Sequence, residues 1–217
     1  LQISPMADAR VKLVLASASP RRLTLLERVG LKPDLLNPAD IDETAKKRET
    51  PRRLSIRLAE EKARIAHMAP QVTALGSGVF ILAADTVVGL GRRILPKAET
   101  PEEAFACLTL LSGRSHWVYS TVCLIGPKGS KTTRCSETKV RFKRLSREDI
   151  QSYIKSEEWR GKAGGYAIQG RAEAFVRNLT GSHSGVVGLP LYETVHLLEG
   201  AGYPILHTWM NSPSALA

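Results

Sequence analysis

Residues 79–90 form an apolar run interrupted by one carboxylate, Asp85, in Ala83-Ala84-Asp85-Thr86-Val87-Val88. A carboxylate inside a buried strand is costly unless it is paired or bound to a cation. Asp85 is therefore either a buried cap on a neighbouring turn or a group that holds a metal ion or handles a proton. A second stretch, Leu15-Ala16-Ser17-Ala18-Ser19-Pro20-Arg21-Arg22, follows a short apolar run and opens an amphipathic run ending at Gly30. That order reads strand, tight turn, helix. Ser19 suits the N-cap and Pro20 the first helical position. The free N–H groups of a first helical turn attract anions, and Ser17, Arg21 and Arg22 add hydroxyl and guanidinium donors suited to phosphate. Cations in a first turn oppose the helix dipole, so stability alone explains the two arginines poorly.

Four further residues carry chemistry at strand ends or loop starts. Glu43 closes the first long loop, and Lys62 lies in the second helical run, in Ala59-Glu60-Glu61-Lys62-Ala63. Lys97 follows a turn at Gly91, and Gln169 sits in Gly165-Tyr166-Ala167-Ile168-Gln169-Gly170. Each has a plain structural alternative: a solvated loop carboxylate, an i,i+4-paired helix lysine, a loop lysine and a tight turn.

These residues need elements to hold them. Residues 11–17 read as a strand, 20–29 as a helix and 31–43 as an irregular loop with two prolines. Thr50-Pro51 starts a second helix with Leu54, Leu58 and Ile65 on one face. Residues 79–90 read as a buried strand, and Thr100-Pro101 caps a third helix to Leu111. Residues 116–125 and 132–142 form a hairpin around the loop 126–130. Ser146 to Asp149 resembles a capping box before the helical run 150–156. Short strand-like runs appear at 166–168 and 174–176, and residues 190–198 form a last helix. The chain reads as one α/β domain over 11–208, a long mixed sheet flanked by helices in two lobes. Residues 1–10 read as a leader and 209–217 as a flexible tail.

Composition narrows the partners. The 217 residues carry a formal net charge of +10 and are 43% hydrophobic, enough for a real core. No apolar run approaches the ~20 residues of a membrane helix. Three cysteines without a CxxC pair fit a reducing cytoplasm and oppose a disulfide scaffold or structural zinc. The positive charge favours an anionic partner. The cations are dispersed and few aromatics interleave with them, so a stacking platform for single-stranded nucleic acid is not indicated, and a nucleotide or other phosphorylated small molecule satisfies the charge equally well. A Walker A sequence, a GxGxxG after the first strand and a GxSxG are all missing.

Taken together, LASASPRR, DET, EEKA, AADTVV, the lysine of GRRILPK, LSGRSHWV, GKAGGYAIQG and GSHSGVVGLPLYET resemble the Maf (septum formation inhibitor) family in order and spacing, over about residues 11–200. The resemblance implies a fold like that of inosine triphosphate pyrophosphatases. It implies hydrolysis of a nucleoside triphosphate to the monophosphate and pyrophosphate with a divalent cation, Mg²⁺ or Mn²⁺, and a homodimer. It places Ser17, Arg21 and Arg22 on the triphosphate and puts Glu43, Lys62, Asp85, Lys97 and Gln169 at the remaining site positions. Glu43 and Asp85 would hold the metal and, with Lys97, carry the catalysis; Lys62 and Gln169 would contact substrate. Ala84-Asp85-Thr86 resembles the branch preferring dTTP and UTP, whereas the branch preferring 7-methylguanosine triphosphate has Ser-Asp-Gln there. Either nucleotide-pool sanitation or division arrest would fit such an enzyme. The rivals are a modified-purine pyrophosphatase and a non-catalytic division regulator that binds nucleotide or nucleic acid; the latter has no need of both carboxylates. Two positions depart from the family pattern: Lys97-Ala98 stands for Lys-Pro, and Ser120-Thr121 for Thr-Gly.

Overall fold

Apolar strands alternating with proline-started helices build a mixed sheet covered on both faces. The computed structural model describes residues 11–211. β1 (Lys12–Leu15) turns into α1 (Pro20–Arg28), β2 (Leu35–Leu36) lies in the long loop, and α2 (Pro51–His67) and α3 (Pro70–Thr73) follow. Next come β3 (Val79–Leu90), β4 (Arg93–Leu95), β5 (Lys97–Ala98), α4 (Pro101–Leu111), and the hairpin of β6 (Ser115–Ile125) and β7 (Lys131–Phe142). The chain then runs through α5 (Arg147–Lys155), β8 (Lys162–Ala163), a 3-10 turn over Arg171–Phe175, β9 (Val176–Thr180), α6 (His183–Val187), α7 (Leu191–Gly200) and α8 (Ile205–Asn211). The main sheet has the order β2-β1-β3-β6-β7-β9, with β4 on β3, and β5 and β8 form a separate ribbon. β1 is parallel to β2 and β3, and the other pairs are antiparallel.

The register creates a gap. β1 accompanies β3 only over Val79 to Leu82, and β4 joins β3 only from Val88. Between these points Asp85, Thr86 and Val87 have β6 on one side and no strand on the other. In open sheets with parallel strands, ligands bind at the carboxyl ends of the strands where neighbours part.

Alternation along β3 decides what faces the gap. Ile81, Ala83 and Asp85 point to α2, where Ala59, Ala63 and Ala66 are fully buried. Their small side chains let the helix backbone approach the sheet closely. Leu82, Ala84 and Val88 point to the larger core beneath α1, α4, α5 and α7.

Some expectations change. Ser19 occupies the N-cap of α1, but its side chain makes no capping bond. Instead Ser17 Oγ accepts the Ser19 N–H at 3.2 Å. The buried stripe of α2 contains Lys62 and the alanines, and Ile65 is only half buried. Residues 166–168 are buried in a turn rather than a strand, because Gly164 and Gly165 enter it at φ of 71° and 68°. A Cβ on Gly165 would lie 3.2 Å from Ala104 Cα, so this turn packs onto α4 only as glycine. Residues 174–175 close the 3-10 turn, and the strand begins at Val176. α8 extends past residue 208, and Trp209 Nε1 donates to the Val29 carbonyl at 2.6 Å. The leader, and the tail from residue 212, lie outside the described residues. Among the described residues no helix is long and apolar enough to cross a membrane.

Candidate active site

The gap beside β3 opens into a pocket of about 490 Å³, within the range of small-ligand sites. All eight residues singled out in the sequence line it: Ser17, Arg21, Arg22, Glu43, Lys62, Asp85, Lys97 and Gln169.

Its floor is an ion-pair chain. Lys62 Nζ donates to Asp85 Oδ1 at 2.6 Å and to Glu43 Oε1 at 2.7 Å. The other Glu43 oxygen accepts from Lys97 Nζ. Asp85 and Lys62 are buried, whereas Glu43 and Lys97 reach the mouth. Lys62 is thus neither a solvated helix lysine nor an i,i+4 partner; it neutralises two carboxylates from different elements. Burial would raise the Glu43 pKa, but hydrogen bonds and charge from Lys62 and Lys97 outweigh it and hold the carboxyl at about 2.

The corner after β1 supplies the second wall. Arg22 donates through Nε to the Gly188 carbonyl at 2.8 Å and through Nη1 to Ser17 Oγ at 3.0 Å. Burial lowers the Arg22 pKa, and Asp85 and Glu43 oppose that shift. Gly188 ends α6 at φ 142°, a conformation open to glycine, and this aims its carbonyl at Arg22. Arg21 is also lowered, by burial and then by Arg22. The α1 first turn contains no acidic residue to neutralise either arginine.

The remaining wall is the β5–β8 ribbon. Lys97 pairs with Ala163 and Ala98 with Lys162, and Gly161 N–H donates to the Ala98 carbonyl at 2.9 Å. Ala98, which replaces the family's proline, is fully buried, so the ladder itself fixes Lys97. Gln169 is exposed at the rim. The close approach permitted at Gly170 is to the Glu158 carboxylate, which a Cβ there would strike, and not to the pocket.

The second departure, Ser120-Thr121, lies beneath the site. Ser120 Oγ donates to the Gly185 carbonyl and meets Thr86 Oγ1 at 3.1 Å, while Thr121 Oγ1 meets Ser55 Oγ at 2.9 Å. The two hydroxyls tie β6 to α6 on one face and to α2 on the other. Sequence reasoning passed over Arg160, Gly161 and Lys162, which also line the pocket. Gly161 and Lys162 open the GKAGGYAIQG block and Arg160 directly precedes it, but nothing local marks them as facing a pocket.

The Maf-like protein family model matches residues 12–201. This chain belongs to the Maf-like family. It is 60% identical over 203 residues to a protein of Rhodopseudomonas palustris (strain HaA2) named dTTP/UTP pyrophosphatase, covering 94% of this chain and 98% of the relative. A relative of the same name from Nitrobacter hamburgensis is 59% identical over the same shares. Among solved structures, a HAM1 protein from Coxiella burnetii matches with a TM-score of 0.43 and 18% identity, over 63% of this chain and 75% of that one. The ion-pair chain, the arginine corner and the β5–β8 ribbon of this Maf-like chain all fall within the matched span.

Two carboxylates at one point raise the question of a metal. Among the described residues no group of three or more His, Cys, Asp or Glu forms a ready-made cage. Magnesium is commonly held by one or two carboxylates, with waters and substrate phosphates completing its shell. Asp85 and Glu43 are hard oxygen donors of that kind, and Glu43 stays ionised throughout the neutral range. The donor set therefore fits such an ion, which would compete with Lys62 for the same oxygens.

Proposed function

We propose that this chain is a nucleoside triphosphate pyrophosphatase that hydrolyses dTTP and UTP to the monophosphate and pyrophosphate. The observation that carries this reading is Lys62 held between Asp85 and Glu43 in a pocket whose other walls are cationic. The names of the 60%-identical relatives support the substrate.

Cleavage between the α and β phosphates needs charge neutralisation, an oriented water and a stabilised leaving group. Ser17 and Arg22, locked to each other and to Gly188, fix the phosphate chain at the α1 corner. Arg21 and Lys97 add positive charge from opposite walls. Asp85 is the buried carboxylate available to accept a proton from the attacking water. Lys62 sets a positive charge 2.6 Å from Asp85, which offsets the repulsion between this carboxylate and the approaching phosphates. A divalent cation, Mg²⁺ or Mn²⁺ held by Asp85 and Glu43, would supply further charge neutralisation. Gln169, at the rim, contacts the base or sugar.

The resemblance also implies a homodimer, for which light scattering would give a mass near twice the 23.7 kDa chain. A cytoplasmic location fits the three free cysteines.

The substrate assignment is tested with dTTP, UTP, CTP, GTP, ITP and 7-methylguanosine triphosphate, scoring pyrophosphate release with and without Mg²⁺ or Mn²⁺. Fastest turnover of dTTP and UTP is expected. Preference for 7-methylguanosine triphosphate would move the chain to the other branch, and release from none would overturn the enzymatic reading.

A further inference from the structure

Six cations line the pocket, and most are already engaged. Lys62 is shared by Asp85 and Glu43, and Lys97 is bound to Glu43. Arg22 is tethered to Gly188 and Ser17. Arg160 pairs with Glu157 at 2.8 Å and lies over the Trp159 ring. Among the described residues, only Arg21 and Lys162 line this pocket with neither a carboxylate partner nor a second side chain holding them.

Lys162 is nonetheless positioned. Its Nζ donates to the Arg160 carbonyl at 2.7 Å, and its backbone is held in the β5–β8 ribbon opposite the fully buried Ala98. An ammonium has three donors, so this tether leaves two for a ligand. It is only partly exposed, and burial, together with the charge of Arg21, makes it easier to deprotonate than an ordinary lysine. Glu99 offsets this only in part and forms no salt bridge with Lys162, so two neighbouring cations face the pocket without a directly paired carboxylate, an arrangement that an anion would stabilise.

We propose that Lys162 and Arg21 form a two-sided clamp for the departing pyrophosphate. This rests on the pyrophosphatase reading and extends it to a residue outside the eight above. The assignment within the triphosphate follows from charge. On the floor, the charges of Lys62 and Lys97 are already matched by Asp85 and Glu43, so the protein offers no net positive charge there to the most negative part of the substrate. The β and γ phosphates carry most of the charge, and they belong with the cations that have no carboxylate salt bridge. Lys162 is then a binding residue for the leaving group, and the nucleoside monophosphate does not touch it.

The test is product inhibition of dTTP hydrolysis by pyrophosphate and by dTMP in Lys162→Met and Lys162→Gln; the glutamine retains a donor for the Arg160 carbonyl. Both variants are expected to need at least about tenfold more pyrophosphate for half inhibition, with dTMP inhibition unchanged and KM for dTTP raised more than kcat is lowered. Lys162→Arg, which keeps the charge, should restore most pyrophosphate inhibition. Wild-type pyrophosphate inhibition in both variants, or weakened inhibition by dTMP instead, overturns the clamp. Calorimetric titration of inorganic pyrophosphate separates this from the parent reading. If the wild type hydrolyses no triphosphate yet binds pyrophosphate, and Lys162→Gln loses that binding tenfold, the clamp stands while the pyrophosphatase reading falls. Failure of the folded wild type to bind pyrophosphate overturns the clamp whatever the activity.

Discussion

Two buried polar clusters flank the glycine-rich turn, and burial has opposite consequences in them. In the pocket, Asp85 and Lys62 are almost fully enclosed but sit in an ion-pair chain with Glu43 and Lys97. Behind it, His116 is fully buried among Phe142 and Tyr166, and its Nε2 meets the Tyr166 hydroxyl at 2.8 Å. Burial there pushes the imidazole down to about 4 and the Tyr166 phenol up, so both stay neutral. Desolvation neutralises an isolated group, whereas an opposite charge at hydrogen-bond distance lets a buried group stay ionised. The molecule keeps buried charge where a phosphate chain would arrive and neutral polarity where only packing is required. Both clusters act on the same turn: Tyr166 is one of the residues lining the pocket, and its hydroxyl meets His116.

Removing the shared cation should break this contrast most severely. Lys62→Met leaves the buried Asp85 without its salt-bridge partner and Glu43 with Lys97 alone, which should destabilise the fold by about 3 kcal/mol, as for other broken buried pairs. It should also cut turnover at least ~100-fold and shift the acid limb of the rate profile upward, because Glu43 loses one of the two lysines that hold its carboxyl low. Denaturant unfolding and a pH–rate series check both effects.

The neutral cluster predicts a pH dependence of stability. His116 remains neutral in the fold until pH about 4, whereas an unfolded chain protonates it near 6.5. Its contribution is therefore fully present above 6.5 and lost as pH falls toward 4, about 2 kcal/mol by pH 5. His116→Gln should remove that part of the slope between pH 7.5 and 5 in urea unfolding. Glu43 acts in a lower window: its folded pKa is depressed to about 2, so its stabilising effect fades only as pH drops below 4.5.

A smaller effect is expected at the pocket mouth. The Lys97 side chain is exposed and, among the described residues, its ammonium bonds only Glu43, so Lys97→Ala should slow every triphosphate alike, by roughly tenfold. A change confined to one base would make Lys97 a specificity residue instead.

What the sequence makes legible follows from local physics. Asp85 stands out because no apolar strand tolerates an unexplained carboxylate, and Arg21 and Arg22 because cations do not belong in a first helical turn. Strand β3 and helix α4 match their sequence readings end to end, since apolar runs and a Thr-Pro start are local signals. Lys62 is opaque because its two partners lie 19 and 23 residues away, and α2 must dock through its alanines before they meet. Lys162 is hidden for the same reason: its place on the pocket depends on the pairing of β5 with β8 across more than sixty residues. Residues 166–168 resemble a strand by composition, and two left-handed glycines convert them into the turn under the pocket.

The central claim is that the chemistry is carried by Asp85 and not by the anion-binding walls. It is tested most directly by pyrophosphate release from dTTP in Asp85→Asn, alongside circular dichroism and the affinity for a non-hydrolysable dTTP analogue. The account predicts a folded protein that still binds the analogue but turns over at least ~100-fold more slowly. Near-normal pyrophosphate release from a folded Asp85→Asn protein would contradict it.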